Sequence, residues 1–96
     1  MSRVILSPEA IADLKEIGEY VKPFNVPAAK RLVRMLRETC KTTLAMFPEC
    51  GTMCDDVRPG LRCFSRGNYL IFFRGRNPVE VVRIVRGDRD WPTLFR

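Results

Sequence analysis

Leu61-Arg62-Cys63-Phe64-Ser65-Arg66-Gly67-Asn68-Tyr69-Leu70-Ile71-Phe72-Phe73-Arg74-Gly75-Arg76-Asn77-Pro78-Val79-Glu80-Val81-Val82-Arg83-Ile84-Val85 decides the fold of this chain. Three strand runs, at 61–65, 69–73 and 79–85, the last two rich in β-branched and aromatic residues, alternate with two short turn sequences, Arg66-Gly67-Asn68 and Gly75-Arg76-Asn77-Pro78. Connections this short make the three strands antiparallel neighbours. The middle run is apolar on both faces. Tyr69, Ile71 and Phe73 point one way, and Leu70 and Phe72 point the other. On the last run, strict alternation sets Val82 and Ile84 opposite Val81 and Val85.

Upstream, the periodicity changes. Ser7-Pro8-Glu9 starts a helix, because Ser7 can cap a free N–H, Pro8 suits the first turn and Glu9 faces the positive helix end. Ile11, Leu14, Ile17 and Val21 give that helix an apolar face, and Lys22-Pro23 ends it. A second start at Asn25–Pro27 leads to the stripe Ala28, Leu32, Leu36, Cys40, Leu44 and Phe47, closed by Pro48. The short link makes the two helices an antiparallel hairpin. Arg3–Leu6 is an N-terminal edge strand, and 48–60, with Pro48, Gly51, Pro59 and Gly60, is a loop. The expected architecture is one α+β domain over residues 1–96. It has an N-terminal edge strand and a helical hairpin packed on a C-terminal antiparallel sheet.

Composition bounds the function. The chain has 96 residues, 46% hydrophobic and 29% charged, enough for one core. The formal net charge is +6, which favours phosphate polymers or acidic proteins as partners. From Glu49 onward every basic residue is Arg, whose planar fork of donors suits carboxylates and phosphates. The N-terminal apolar run is too short for an export signal, and no stretch approaches the roughly 18 apolar residues of a membrane span. A cytoplasmic protein without a membrane association is expected. Its four thiols, Cys40, Cys50, Cys54 and Cys63, are then reduced. They lack the two tight pairs of an all-cysteine zinc site and there is no His, so no metal or other cofactor is expected.

Two helices cover only one face of a small sheet. The other face is expected to stay open as an apolar groove with an Arg rim, which fits an acidic amphipathic helix. Its floor is Leu70, Phe72 and Val82, and its rim is Arg62, Arg74 and Arg83, with Arg86 at the strand end. The alternative is that the loop or the C-terminal tail folds over this face. The tail holds Trp91 and Phe95, which either plug the core or present a contact to a target. The first helix carries Glu9, Asp13, Glu16 and Glu19, read as a solvated face. The second carries Lys30, Arg34, Arg37 and Lys41, which leaves a docking stripe for an acidic partner open.

The residues also resemble a known family, the ParE toxins of the ParE/RelE toxin–antitoxin superfamily. The likeness runs through Leu6-Ser7-Pro8-Glu9-Ala10, Asp13-Leu14 and Ile17, then Phe47-Pro48-Glu49-Cys50-Gly51. Its most specific part is Val57-Arg58-Pro59-Gly60-Leu61-Arg62 with Tyr69-Leu70-Ile71-Phe72-Phe73-Arg74. It closes with Val81–Val85, Arg89-Asp90 and Leu94-Phe95. Cys63, Phe73 and Arg86 stand where relatives often have Ser, Tyr and His. The resemblance implies the same hairpin-on-sheet fold, a ParD-like antitoxin partner, and growth arrest through inhibition of DNA gyrase. On charge and exposure, Arg58, Arg86, Arg89, Trp91 and Phe95 are the candidate target contacts. No direct sequence-specific nucleic-acid binding is expected. The RelE branch cleaves messenger RNA on the ribosome, which requires proton-moving groups. This chain has no His, and its tyrosines, Tyr20 and Tyr69, read as packing residues, so no catalytic residue is assigned. A RelE-like ribonuclease and a degenerate, non-toxic relative that only binds antitoxin are the alternatives.

Overall fold

The computed structural model describes residues 2–95. The elements run β1 (Val4–Leu6), α1 (Pro8–Val21), α2 (Val26–Glu38), α3 (Leu44–Met46), β2 (Thr52–Met53), β3 (Arg62–Arg66), β4 (Tyr69–Arg74) and β5 (Val79–Arg86). A wider π-type turn, Thr39–Thr43, joins α2 to α3, and a 3-10 turn, Trp91–Phe95, follows β5. The caps are those read from the sequence. Ser7 Oγ accepts from Ala10 N–H at 3.0 Å, and Asn25 Oδ1 accepts from Ala28 N–H at 3.0 Å.

The five strands form one sheet in the order β1-β5-β4-β3-β2. β1 lies parallel to β5, and the other pairs are antiparallel. The segment expected to be all loop contributes the two-residue strand β2, paired through Thr52 with Cys63 and Met53 with Arg62. Gly51 turns the chain into it with φ near +77°, and a Cβ there would collide with the Cys63 carbonyl.

The register of β5 departs from strict alternation. Phe73 pairs with Val81, whereas Phe72 pairs with Arg83, so Val82 is the extra residue of a β-bulge. The bulge places Val79, Val81 and Ile84 beneath the helices and Val82 with Val85 on the other face. The pairing of Val82 with Ile84 expected from alternation is thereby corrected. The helix-side core also holds Ala10, Leu14, Leu36, Cys40, Leu44, Ile71 and Phe73. Ile11 and Phe47, expected in the apolar stripes, are instead 54% and 59% exposed. On α1 the buried row is Ala10, Asp13 and Leu14. The helices approach closely at Gly18, where a Cβ would lie 3.0 Å from Val33 Cγ2.

β1 is too short to cover β5, and α1 completes the edge. Ser7 N–H donates to Val81 O at 2.9 Å, and Ser7 Oγ donates to Val82 O at 2.8 Å. Six residues further on, Asp13 Oδ2 accepts from Ile84 N–H at 2.9 Å. The same carboxylate takes a two-pronged contact from Arg83, Nε at 2.8 Å and Nη2 at 2.9 Å. Asp13 is 6% exposed, so it is no part of a solvated acidic face. These contacts, with burial opposing them, hold the Arg83 guanidinium pKa above its ordinary value.

Three substitutions test these constraints. Asp13→Ala strands a half-buried guanidinium and a ladder N–H, and is expected to lower unfolding stability by about 3 kcal/mol. Asp13→Asn keeps one acceptor and should lose less. Gly51→Ala combines left-handed backbone strain with a clash against main chain, and is expected to lose about 2 kcal/mol or more. Urea titrations of the three variants against the parent chain measure both effects.

Candidate protein-binding surfaces

The second sheet face is covered. Leu61, Phe72, Val82 and Val85 form a separate cluster, flanked by Cys54, Val57, Cys63, Leu70, Trp91, Leu94 and Phe95. The Phe72 ring lies 5.0 Å from the Trp91 ring and 4.9 Å, edge-on, from that of Phe95. Arg58 reaches up from the loop, its guanidinium carbon 5.2 Å from the centre of the Phe95 ring. The expected open groove is therefore absent. Phe72 is fully buried and Val82 is 9% exposed, so neither presents a surface to a partner in this state. The physical reason is the second apolar face of β4. Leaving a Phe in water forgoes about 1.5–3 kcal/mol, and a tail carrying Trp91, Leu94 and Phe95 is on hand to cover it. Of the two roles weighed for Trp91 and Phe95, core plug is the one the structure displays.

The expected Arg rim is also largely occupied within the chain. Arg83 is held by Asp13. Arg74 Nε pairs with Glu80 Oε1 at 2.8 Å, and Arg62 Nη1 donates to the Glu49 carbonyl at 2.8 Å. Leu70 is half-buried at the margin of the cluster.

The target candidates fall into two groups. Arg58, Trp91 and Phe95 are stacked together on the covered face. Arg86 and Arg89 line a cleft of about 180 Å³ with Glu16, Tyr20 and Tyr69. Both arginines are exposed there. Arg86 pairs with Asp88 at 3.0 Å and sits 6.0 Å from the Tyr20 ring centre. Tyr20, read from the sequence as a packing residue, is 63% exposed, while Tyr69 packs against the helix-side core. With Asp13 also lining it, this cleft places cations, phenols and carboxylates side by side at the exit of β5.

A further surface was not legible in the strands at all. A groove of about 570 Å³ runs between α1 and α2. Its floor includes Leu14, Gly18, Ala29 and Val33, and Ile11 and Val26 stand along it 54% and 42% exposed. Lys15, Lys22, Lys30, Arg34 and Arg37 line it too, and among the described lining residues Glu19 alone is acidic. Three of the four residues of the basic stripe noted on the second helix, Lys30, Arg34 and Arg37, thus border an apolar trough. The signal for it lay in Gly18 and Ala29, small residues that lower the floor between larger ones.

Of the four thiols, Cys40 is buried in the helix-side core, and burial pushes its pKa up to about 11. Among the described residues no group of three or more Cys, Asp or Glu side chains is arranged to hold a metal ion.

Comparison with known proteins bears on what these surfaces serve. Residues 4–91 match the family model described as the ParE toxin of the type II toxin–antitoxin system parDE. Toxin ParE1 of Mycobacterium tuberculosis, in strains CDC 1551 / Oshkosh and ATCC 25618 / H37Rv, is 35% identical over 92 residues, 93% of either chain. A solved structure described as the chromosomal ParDE TA system from P. aeruginosa superposes with a TM-score of 0.64 at 20% identity, covering 90% of this chain and 96% of that one, and so attests the fold. With residues 4–91, which include the hairpin and the mixed sheet, matched to the family, the chain belongs to the ParE toxin family of type II toxin–antitoxin systems.

Proposed function

We propose that this toxin arrests growth by binding DNA gyrase rather than by catalysis, and that a ParD-like antitoxin neutralises it. Family membership across residues 4–91 carries this reading. The surface chemistry agrees with it. The exposed arginines Arg86 and Arg89 sit at the exit of β5, next to the tail that begins at Trp91. An acidic protein surface is their natural complement. Gyrase and its DNA are cytoplasmic, so the toxin acts there. Among the described residues no helix is long and apolar enough to cross a membrane.

The antitoxin surface is better sited on the hairpin than on the sheet. Phe72, Val82 and Arg83 are committed to internal contacts. The trough between α1 and α2 combines exposed apolar residues with a basic rim, which is what an acidic amphipathic segment requires. Leu70, Arg62 and Arg74 then lie outside the main contact.

Supercoiling assays with purified gyrase test the first claim. The toxin should inhibit, and stoichiometric antitoxin should restore activity. Messenger RNA cleavage on ribosomes without gyrase inhibition would establish the RelE-like alternative. Absence of both, with normal growth on expression, would leave a degenerate relative that only binds antitoxin. The double variant Arg86→Ala/Arg89→Ala is expected to raise the concentration for half-inhibition at least tenfold, with stability changed by no more than about 0.5 kcal/mol. Full potency in the folded double variant removes these residues from the contact. The charge reversal Arg34→Glu/Arg37→Glu should weaken antitoxin binding at least tenfold and flatten its salt dependence, measured by titration calorimetry at two ionic strengths.

A further inference from the structure

The four thiols separate by face. Cys40 and Cys50 belong to the helix-side core, and Cys54 and Cys63 to the cluster around Phe72. The β2–β3 pairing extends one step past Met53. Cys54 N–H donates to Leu61 O at 2.7 Å, so Cys54 stands opposite Leu61. Cys63 is two residues beyond Leu61 and faces the same side. Cys54 and Cys63 are therefore diagonal neighbours on one face of a ribbon. Their side chains both pack into the cluster around Phe72, and the Cys54 thiol donates to Thr52 O at 3.8 Å. Both are half-buried, while Asp55 and Asp56 next to Cys54 are exposed.

We propose that Cys54 and Cys63 are a reversible oxidation site that closes to an intramolecular disulfide and staples the Arg58 loop to the sheet. A small-molecule disulfide is the oxidant. Cys54, as its thiolate, attacks one sulfur, and a mixed disulfide forms as the first small thiolate leaves and takes up a proton. Cys63 then loses its proton to solvent and attacks the Cys54 sulfur, and the second small thiolate leaves. Two electrons pass from the protein thiols to the oxidant, which departs as two thiols. Closure to the ~2 Å of an S–S bond falls to side-chain rotation and flexing of the loop.

Burial, and after it the neighbouring Asp56, raise the Cys54 thiol pKa above its ordinary value, with a smaller opposing pull from Cys63. Burial and the neighbouring Cys54 push the Cys63 thiol up to about 11. Near neutral pH the reduced pair is thus mostly protonated, and oxidation is slow unless the disulfide is abundant. The ring that closes contains Arg58, which stacks over Phe95. Within it, Gly60 N–H already donates to Asp55 Oδ1 at 2.8 Å and Leu61 N–H to Arg58 O at 3.1 Å. The staple therefore fixes a turn that is already shaped, under the tail that covers Phe72.

The test uses the reduced full chain incubated with oxidised glutathione and mapped by mass spectrometry without reduction. The expected product has lost two hydrogen atoms, carries a Cys54–Cys63 link and reverts with dithiothreitol. Its formation rate should rise ~tenfold per pH unit from 7 to 9, following the thiolate fraction. Amide exchange in residues 55–61 should slow about tenfold on oxidation, the reduced chain serving as reference. Cys50→Ser should leave the link intact, and Cys54→Ser should abolish it. A stable glutathione adduct on Cys54 that Cys63 does not displace, a link to Cys40 or Cys50, or cross-linked dimers as the main product would each overturn the proposal. The wild-type map decides this even if a Cys variant fails to fold.

Discussion

One buried carboxylate ties the two layers of this protein together. Asp13 accepts from the β5 backbone and from Arg83 at once. It stands where a longer β1 would otherwise have to supply a partner for β5. An ion pair of this kind contributes little net stability beside a well-packed apolar pair, because both charges must leave water. What it supplies is position. It sets α1 at one rotation and one height along β5. That placement fixes the trough shared with α2 and brings Tyr20 beside Arg86.

The second constraint is that β4 has no polar face. A strand apolar on both sides belongs in the middle of a three-layer stack, yet this chain is too short to build a third layer of helices. The β5 bulge answers part of the problem by bringing Val85 to join Val82 on the side that lacks cover. The loop carrying Val57 and Arg58 and the turn Trp91–Phe95 answer the rest. The result is a thin lid of irregular chain, with aromatic rings in contact where a helix would have packed aliphatic ridges.

Much of this was legible in the residues. Ser7-Pro8-Glu9, Asn25 and Pro48 marked the helix ends through capping and missing donors, which are local effects. The facing of β4 followed from a period of two. The alternation of β5 failed because a bulge is decided by what flanks the strand, here the end of β1 and the arrival of α1. Asp13 looked like one acidic residue among several. Only its partner seventy residues on distinguishes it from Glu16. The open groove was inferred from a shortage of helices and preferred to the alternative of a folded-over tail, yet Trp91, Leu94 and Phe95 supply the apolar surface that closes it. Likewise Ile11 and Phe47 satisfied the helical period, but the axis of each helix put them at the edge of the contact rather than inside it.

Trp91 is the only tryptophan in the chain, and its ring rests on Phe72. An indole so placed is a native optical reporter. Its emission follows the polarity around the ring, so lifting the C-terminal turn into water should redden and dim the signal with no label attached. The same photons that register unfolding thus distinguish partners that leave the lid seated from partners that pry it up, in real time and at nanomolar scale.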